Sequence, residues 1–318
     1  MRRFFPGFDP FILLLMGTVV LAALVPARGA AFQLVDGLAV TAIALLFLLH
    51  GLRLPRAAVL QGLGHWRLHL VILGVTFLAF PVFVVLLQML MPGFVAQPLW
   101  AGMLFLAALP STVQSSIAFT SMARGNVAGA VVAAAASNLL GIVLTPFIVM
   151  LLSEATGASV SLAGVGRIAL LLLAPFVLGQ ILRRWLADWV EKTRRITSFT
   201  DRATIILAVY VAFSEATNEG LWQVLPVSDI LRLAMLSVLL LALVMLTSGG
   251  IGRMLGFSRE DRIAIVFCGS KKSLATGIPM AKLLFAGSMV GPVVLPLMIF
   301  HQIQLVICAW LAQRWARR

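Results

Sequence analysis

Ten apolar runs, each close to the length of a bilayer crossing, dominate the chain and decide what it can fold into. A spanning helix needs about 20 mostly apolar residues, because the hydrocarbon layer is ~30 Å thick and each residue rises ~1.5 Å. The runs fall at roughly 8–27, 34–52, 67–91, 97–122, 126–152, 163–182, 200–217, 229–250, 261–285 and 289–312. Charged or turn-forming stretches separate most of them: Pro55–Arg56, Pro92–Gly93, Arg124–Asn126, Glu154–Gly157, Arg183–Arg202, Asn218–Gly220 and Arg253–Arg262. With 61% of 318 residues hydrophobic and 11% charged, a soluble core could not hide the apolar surface, and lipid must solvate it. Closed barrels also satisfy every backbone group in lipid, but their short alternating segments do not occur here.

The net charge of +13 invites a nucleic-acid partner. The charges instead sort by side. With a cytoplasmic N-terminus and ten spans, 18 of the 24 Lys and Arg residues lie at cytoplasmic ends. Only Arg28, Arg167, Arg232 and Lys282 lie at the other side, and Lys271 and Lys272 fall inside a span. This is the positive-inside pattern. It predicts a multi-pass protein of the cell inner (plasma) membrane with both termini cytoplasmic, bound by the lipid bilayer and not by nucleic acid. The start, Arg2-Arg3 and then Phe11–Leu24, resembles a signal peptide, but removing it would leave nine spans and break the charge pattern. Cys268 and Cys308 both fall in apolar spans, so no disulfide framework is indicated.

Two spans break their own pattern. The fourth contains Pro110-Ser111-Thr112-Val113-Gln114-Ser115-Ser116, and the ninth Cys268-Gly269-Ser270-Lys271-Lys272-Ser273. Proline lacks the N–H and crowds the preceding turn. An ionisable residue at a span's centre costs at least ~2.5 kcal/mol and marks function by default. Taken singly, the fourth reads first as a Pro kink with hydroxyls bonded to their own helix, whereas the ninth, read as a loop between two short helices, would cost Val266–Phe285 its span and the charge count its parity. Each, however, is the second-to-last span of a five-span half, and paired interruptions at corresponding places point to a transporter site. An odd number of spans per half inverts the halves. The chain is thus expected to be all-α, with ten transmembrane helices in two inverted five-helix repeats, residues 1–152 and 153–318. The broken fourth and ninth helices should cross inside the protein, because unwound backbone at membrane depth must be surrounded by protein or water.

Leu109–Thr120 followed by Ala123–Val127 resembles the bile acid:sodium symporter superfamily. Leu48–Pro55, Ala212–Glu215, Val266–Leu274 and Phe300–Gln304 resemble its branch typified by solute carrier family 10 member 7. The resemblance runs over essentially the whole chain. It implies panel and core subdomains that interleave the repeats, and two sodium ions beside the crossing in sodium-coupled members. Carried over by position, a Ser-Asn pair corresponds to Ser115 and Ser116, the weak sodium candidates. A Ser and a Thr correspond to Ala130 and Ala134, an acid and a Gln fall near Phe267 and Lys271, and a Gln near Thr76. The carboxylate that usually supplies charge to a hard cation is therefore missing.

The expected substrate site comprises Pro110, Ser111, Thr112, Gln114, Ser115, Ser116, Asn138, Gly269, Ser270, Lys271, Lys272, Ser273, His301 and Gln302, around one midplane cavity. No nucleophile–base pair, metal-ligand spacing or phosphate loop stands out, so no enzyme and no cofactor is expected. Two functions remain. One is secondary active transport of a small anionic organic solute, with a lysine in place of sodium making it proton-coupled or sodium-independent. The other, implied by the branch, is a regulatory membrane protein of calcium homeostasis that transports little. Substrate, coupling ion and oligomeric state are not encoded in any feature of the chain.

Overall fold

A computed structural model describes residues 10–53, 65–152, 162–218, 220, 227–285 and 289–317. Among them every regular element is helical: α1 (Pro10–Leu24), α2 (Gly29–Arg53), α3 (Trp66–Leu90), α4 (Gln97–Ala108), α5 (Gln114–Met122), α6 (Val127–Leu151), α7 (Leu162–Lys192), α8 (Arg194–Asn218), α9 (Val227–Met254), α10 (Arg259–Gly269), α11 (Leu274–Leu284) and α12 (Val290–Ala316). Five are long and apolar enough to cross a membrane unaided: α2, α3, α6, α9 and α12. The chain is a multi-pass membrane protein.

Two corrections to the spans follow. The expected separator Arg183–Arg202 is almost entirely helical, because α7 runs on to Lys192 and α8 resumes at Arg194. Trp185 and Trp189 are exposed there and the Arg184 guanidinium lies 3.6 Å from the Trp185 ring. Amphipathic side chains of this kind let a helix continue past the hydrocarbon. The second concerns α2, which begins at Gly29 rather than near 34. The separators Pro55–Arg56 and Glu154–Gly157 lie outside the described residues.

The helices form two layers. In one, α2 packs against α7 and α8, and α1 against α8. The approach of α2 to α7 is a backbone contact: a Cβ on Gly51 would lie 2.1 Å from the Phe176 carbonyl oxygen, and one on Gly179 2.2 Å from that of Leu48. Only glycine permits this. The other layer holds α3 to α6 and α9 to α12. Two of its helices start with side-chain caps that meet: Asn126, before α6, accepts from Gly129 N at 2.8 Å, Ser258, before α10, accepts from Asp261 N at 3.1 Å, and Asn126 Nδ2 donates to Asp261 at 2.7 Å.

Both interruptions expected from the sequence are present. After Ala108 the chain turns extended at Leu109 (ψ 154°), the conformation a residue before proline prefers, and helix resumes at Gln114. After Gly269, helix resumes at Leu274.

Candidate functional site

The two breaks meet. Ser273 N donates to the Pro110 carbonyl at 2.9 Å, and the Ser111 hydroxyl donates to the Cys268 carbonyl at 2.6 Å. A helix that stops inside a membrane protein leaves its last carbonyls without donors, and here each break supplies them to the other. The carbonyls ending α10 are taken by hydroxyls of the first break: Cys268 by Ser111, and Phe267 by Ser116 at 3.2 Å. The carbonyls ending α4 are taken largely by one cation of the second. Lys272 Nζ donates to Ala107 at 2.6 Å and Leu109 at 2.8 Å, while Thr145 serves Ala108 at 2.9 Å.

The third donor of Lys272 goes to the Thr76 carbonyl at 2.7 Å, and the sequence explains why that group is free. Val75–Ala79 is a π-turn in which Phe80 N bonds to the Val75 carbonyl. The next bond in that register would run from residue 81 to Thr76, and Pro81 has no N–H. An ammonium has three donors, so Lys272, wholly buried, is saturated by three carbonyls. Its Nζ also lies 4.1 Å from the Phe80 ring centroid.

Lys271 is equally buried and held differently. Its Nζ donates to the Ser115 carbonyl at 3.0 Å and lies 3.6 Å from the Phe119 ring centroid, a desolvated cation–π contact. The main chain at Lys272 is clamped by Gln304, whose Oε1 accepts from Lys272 N and whose Nε2 donates to the Lys272 carbonyl, both at 2.9 Å.

A cavity of about 440 Å³ lies between this crossover and the other layer. Thr112, Gln114, Ser115, Asn138, Ser273 and His301 line it, which brings six of the expected site residues to one wall. Pro110, Ser111, Ser116, Gly269, Ser270, Lys271 and Lys272 do not line it and form the packed crossover behind. Asn138 Nδ2 donates to the Ser111 carbonyl at 2.7 Å, so it touches both. Ser270 bonds back to Val266 at 2.6 Å within its own helix. Gln302 stands apart: its amide is buried with no hydrogen-bond partner among the described residues. The weak sodium candidates are engaged already, because Thr112 Oγ1 lies 2.7 Å from Ser115 Oγ and 3.0 Å from Ser116 Oγ. With Lys272 on three carbonyls and Lys271 on a fourth, the oxygens at the break already serve the two lysines.

The opposite wall was not expected. It comes from Phe47, His50 and Arg53 of α2, Phe176 of α7, and Asp201, Arg202 and Ile205 of α8. Arg53 and Asp201 form an ion pair. An acid just inside the apolar run that begins near residue 200 is the sequence signal that would have singled out Asp201. Toward the other end of α2, Lys282 at the end of α11 binds Asp36 of α2 at 3.0 Å and Glu215 of α8 at 3.3 Å, tying the two layers together. Asp36 and Arg53 are 17 residues apart on one helix, or about 25 Å.

The sequence has known relatives. Residues 9–317 match the SBF-like CPA transporter family. The uncharacterized protein PA2026 of Pseudomonas aeruginosa is 51% identical over 317 residues, 99% of this chain and 95% of its own. YfeH of Escherichia coli, described provisionally as a symporter, is 50% identical over 316 residues, again 99% and 95%. Sodium/bile acid cotransporter 7 of Rattus norvegicus is 31% identical over 274 residues, 84% of this chain and 79% of its own. The chain belongs to the SBF-like CPA transporter family, and is a membrane transporter and not an enzyme.

Proposed function

We propose that the protein is a secondary transporter of a small anionic organic solute, and that it works without sodium. One observation carries the reading. The N-terminal ends of α5 and α11, the second halves of both interrupted helices, lie on one wall of the cavity through Gln114, Ser115, Leu274, Ala275 and Thr276. The carbonyl ends of α4 and α10 are turned into the crossover and bonded there. The positive ends of two helix dipoles therefore face the solute while the negative ends do not. Val113 gives α5 no side-chain cap, which leaves that end to a ligand's anionic group.

The surroundings agree. Lys271 lies one hydrogen bond behind Ser115, and Arg53 and Arg202 stand on the facing wall, only Arg53 being paired with Asp201. Phe47, Phe176, Leu139 and Ile142 offer the carbon skeleton an apolar surface. A cavity of about 440 Å³ lies in the size range of small-molecule sites, ~300–1,000 Å³. Ten spans in two inverted five-helix repeats, 1–152 and 153–318, with both termini cytoplasmic, suit this cycle. The cavity then opens to the cytoplasm past Arg53 and Arg202, and the Lys282 cluster shuts the other side. Lys272 supplies the cation that a sodium ion would otherwise bring to the freed carbonyls.

The test is flux into liposomes holding only the purified protein, with radiolabelled taurocholate and short-chain carboxylates as probes, under sodium and pH gradients imposed separately. The reading expects saturable uptake of an anionic probe with no sodium requirement. Strict sodium dependence that survives both Lys271→Gln and Lys272→Gln would contradict the sodium-independent part. A protein acting on calcium only through partners would move no anion at all.

A further inference from the structure

We infer that His301 is the site where the coupling proton binds, and that its protonation loosens the second helix break. The inference rests on the transporter reading for its consequence but not for its chemistry. His301 is on the cavity wall, and its Nδ1 lies 2.8 Å from Gln304 Nε2 and 3.4 Å from the Lys272 carbonyl oxygen. The direction of the first bond follows from the neighbours. Lys272 N can only donate, so the Gln304 atom it meets at 2.9 Å is the amide oxygen. The other terminal atom is then the NH₂, with two donors. One goes to the Lys272 carbonyl and the other to His301 Nδ1. Nδ1 must accept, and His301 is the neutral tautomer protonated on Nε2.

That arrangement cannot survive a second proton. An imidazolium has donors on both nitrogens and no acceptor. A proton on Nδ1 sets N–H against N–H₂ and removes the Gln304 bond. The Lys272 carbonyl, 3.4 Å from Nδ1, is an acceptor within reach, and it already receives Gln304. The carbonyl's two lone pairs can take both donors, but the Gln304 N–H₂ that faced Nδ1 at 2.8 Å must then swing away from the new N–H, or the amide must turn over and abandon Lys272 N. In both cases the clamp on the main chain of Lys272 opens when the cavity delivers a proton, and closes when the proton leaves. Imidazole is the side chain whose ordinary titration lies near physiological pH.

The charges around His301 permit the exchange. The Lys272 ammonium points away, onto the carbonyls of Thr76, Ala107 and Leu109. Lys271 is held by Ser115 and Phe119. From α2 and α8, the cavity carries His50, Arg53, Asp201 and Arg202. Arg53 and Asp201 neutralise each other, which leaves His50 as the other cavity imidazole and the control for the experiment.

The chain has four histidines, so the full-length protein in lipid nanodiscs, labelled with ¹⁵N-histidine, gives a resolvable set of imidazole signals. His301→Gln and His50→Gln assign two of them. The expected result is a neutral His301 with a bare Nδ1, converting to imidazolium on acidification, and a Gln304 amide signal that moves with it. Gln304→Met should erase the tautomer preference without preventing protonation. A His301 that carries its neutral proton on Nδ1, or stays neutral at the lowest pH at which the protein remains folded, overturns the inference. In liposomes loaded with a pH dye, wild type should acidify when taurocholate enters, and the protons moved per taurocholate should match wild type in His50→Gln and fall to none in His301→Gln, whatever the uptake rate of either variant. Proton movement that persists undiminished in His301→Gln also overturns it. If taurocholate does not move in wild type, the choice of solute in the transporter reading fails, and the nitrogen signals still decide the proton site.

Discussion

The two breaks interrupt their helices for opposite reasons, and the difference shows how they lock. The first, Leu109–Val113, is made by a proline that removes a donor, and its polar groups are hydroxyls and carbonyls released from helix bonding. The second, Ser270–Ser273, contains no proline and carries two ammonium groups. One is rich in acceptors and the other in donors, and each satisfies the helix end the other leaves bare. A membrane interior leaves no water to do this, so the donors must come from the protein itself.

Within the second break the comparison sharpens to two adjacent lysines. Lys272 serves three carbonyls, Lys271 one carbonyl and a ring. Lys272→Met should therefore have the largest effect of any substitution here. Each buried acceptor left without a donor costs about 1–3 kcal/mol, so the loss should be about 3 kcal/mol or more, read as a large fall in thermal stability in detergent. Lys271→Met removes one carbonyl bond and one cation–π contact, and about 2 kcal/mol is expected. If Lys271→Met proves the more damaging, the assignment of Lys272 as the bridging cation is wrong. Ser111→Ala deprives the Cys268 carbonyl and should cost about 1–2 kcal/mol. Gln302→Leu should instead stabilise by about 1 kcal/mol, because it removes a buried amide that has no hydrogen-bond partner among the described residues.

The breaks themselves were legible in the sequence because Pro110 and the Ser270–Ser273 polar run contradict a lipid-facing helix locally. The wall of hydroxyls around Thr112 and Ser115 followed from the same run. Which lysine does what was not legible. That depends on the free Thr76 carbonyl, created by a π-turn one step ahead of Pro81, and a single extra residue in a turn leaves no mark on hydrophobic periodicity. Gln304 matters where Gln302 does not because α12 turns them to different faces, about 200° apart at 3.6 residues per turn. The second wall, with His50, Arg53 and Asp201, arises only when two distant helices pack, and each residue alone looks like an ordinary helix end. The Arg183–Arg202 stretch is helical where charge suggested a loop, because polar residues mark the membrane's edge and not the helix's end.

The account stands on Lys272 filling the cation position between the two breaks, and an experimental structure of the protein in nanodiscs, in sodium and in potassium buffer, tests it most directly. The expected density puts Lys272 Nζ within hydrogen-bond reach of the Thr76, Ala107 and Leu109 carbonyls in both, with no ion between the breaks. A Lys272 side chain extended into the cavity, with a sodium ion on those carbonyls in its place, would contradict it.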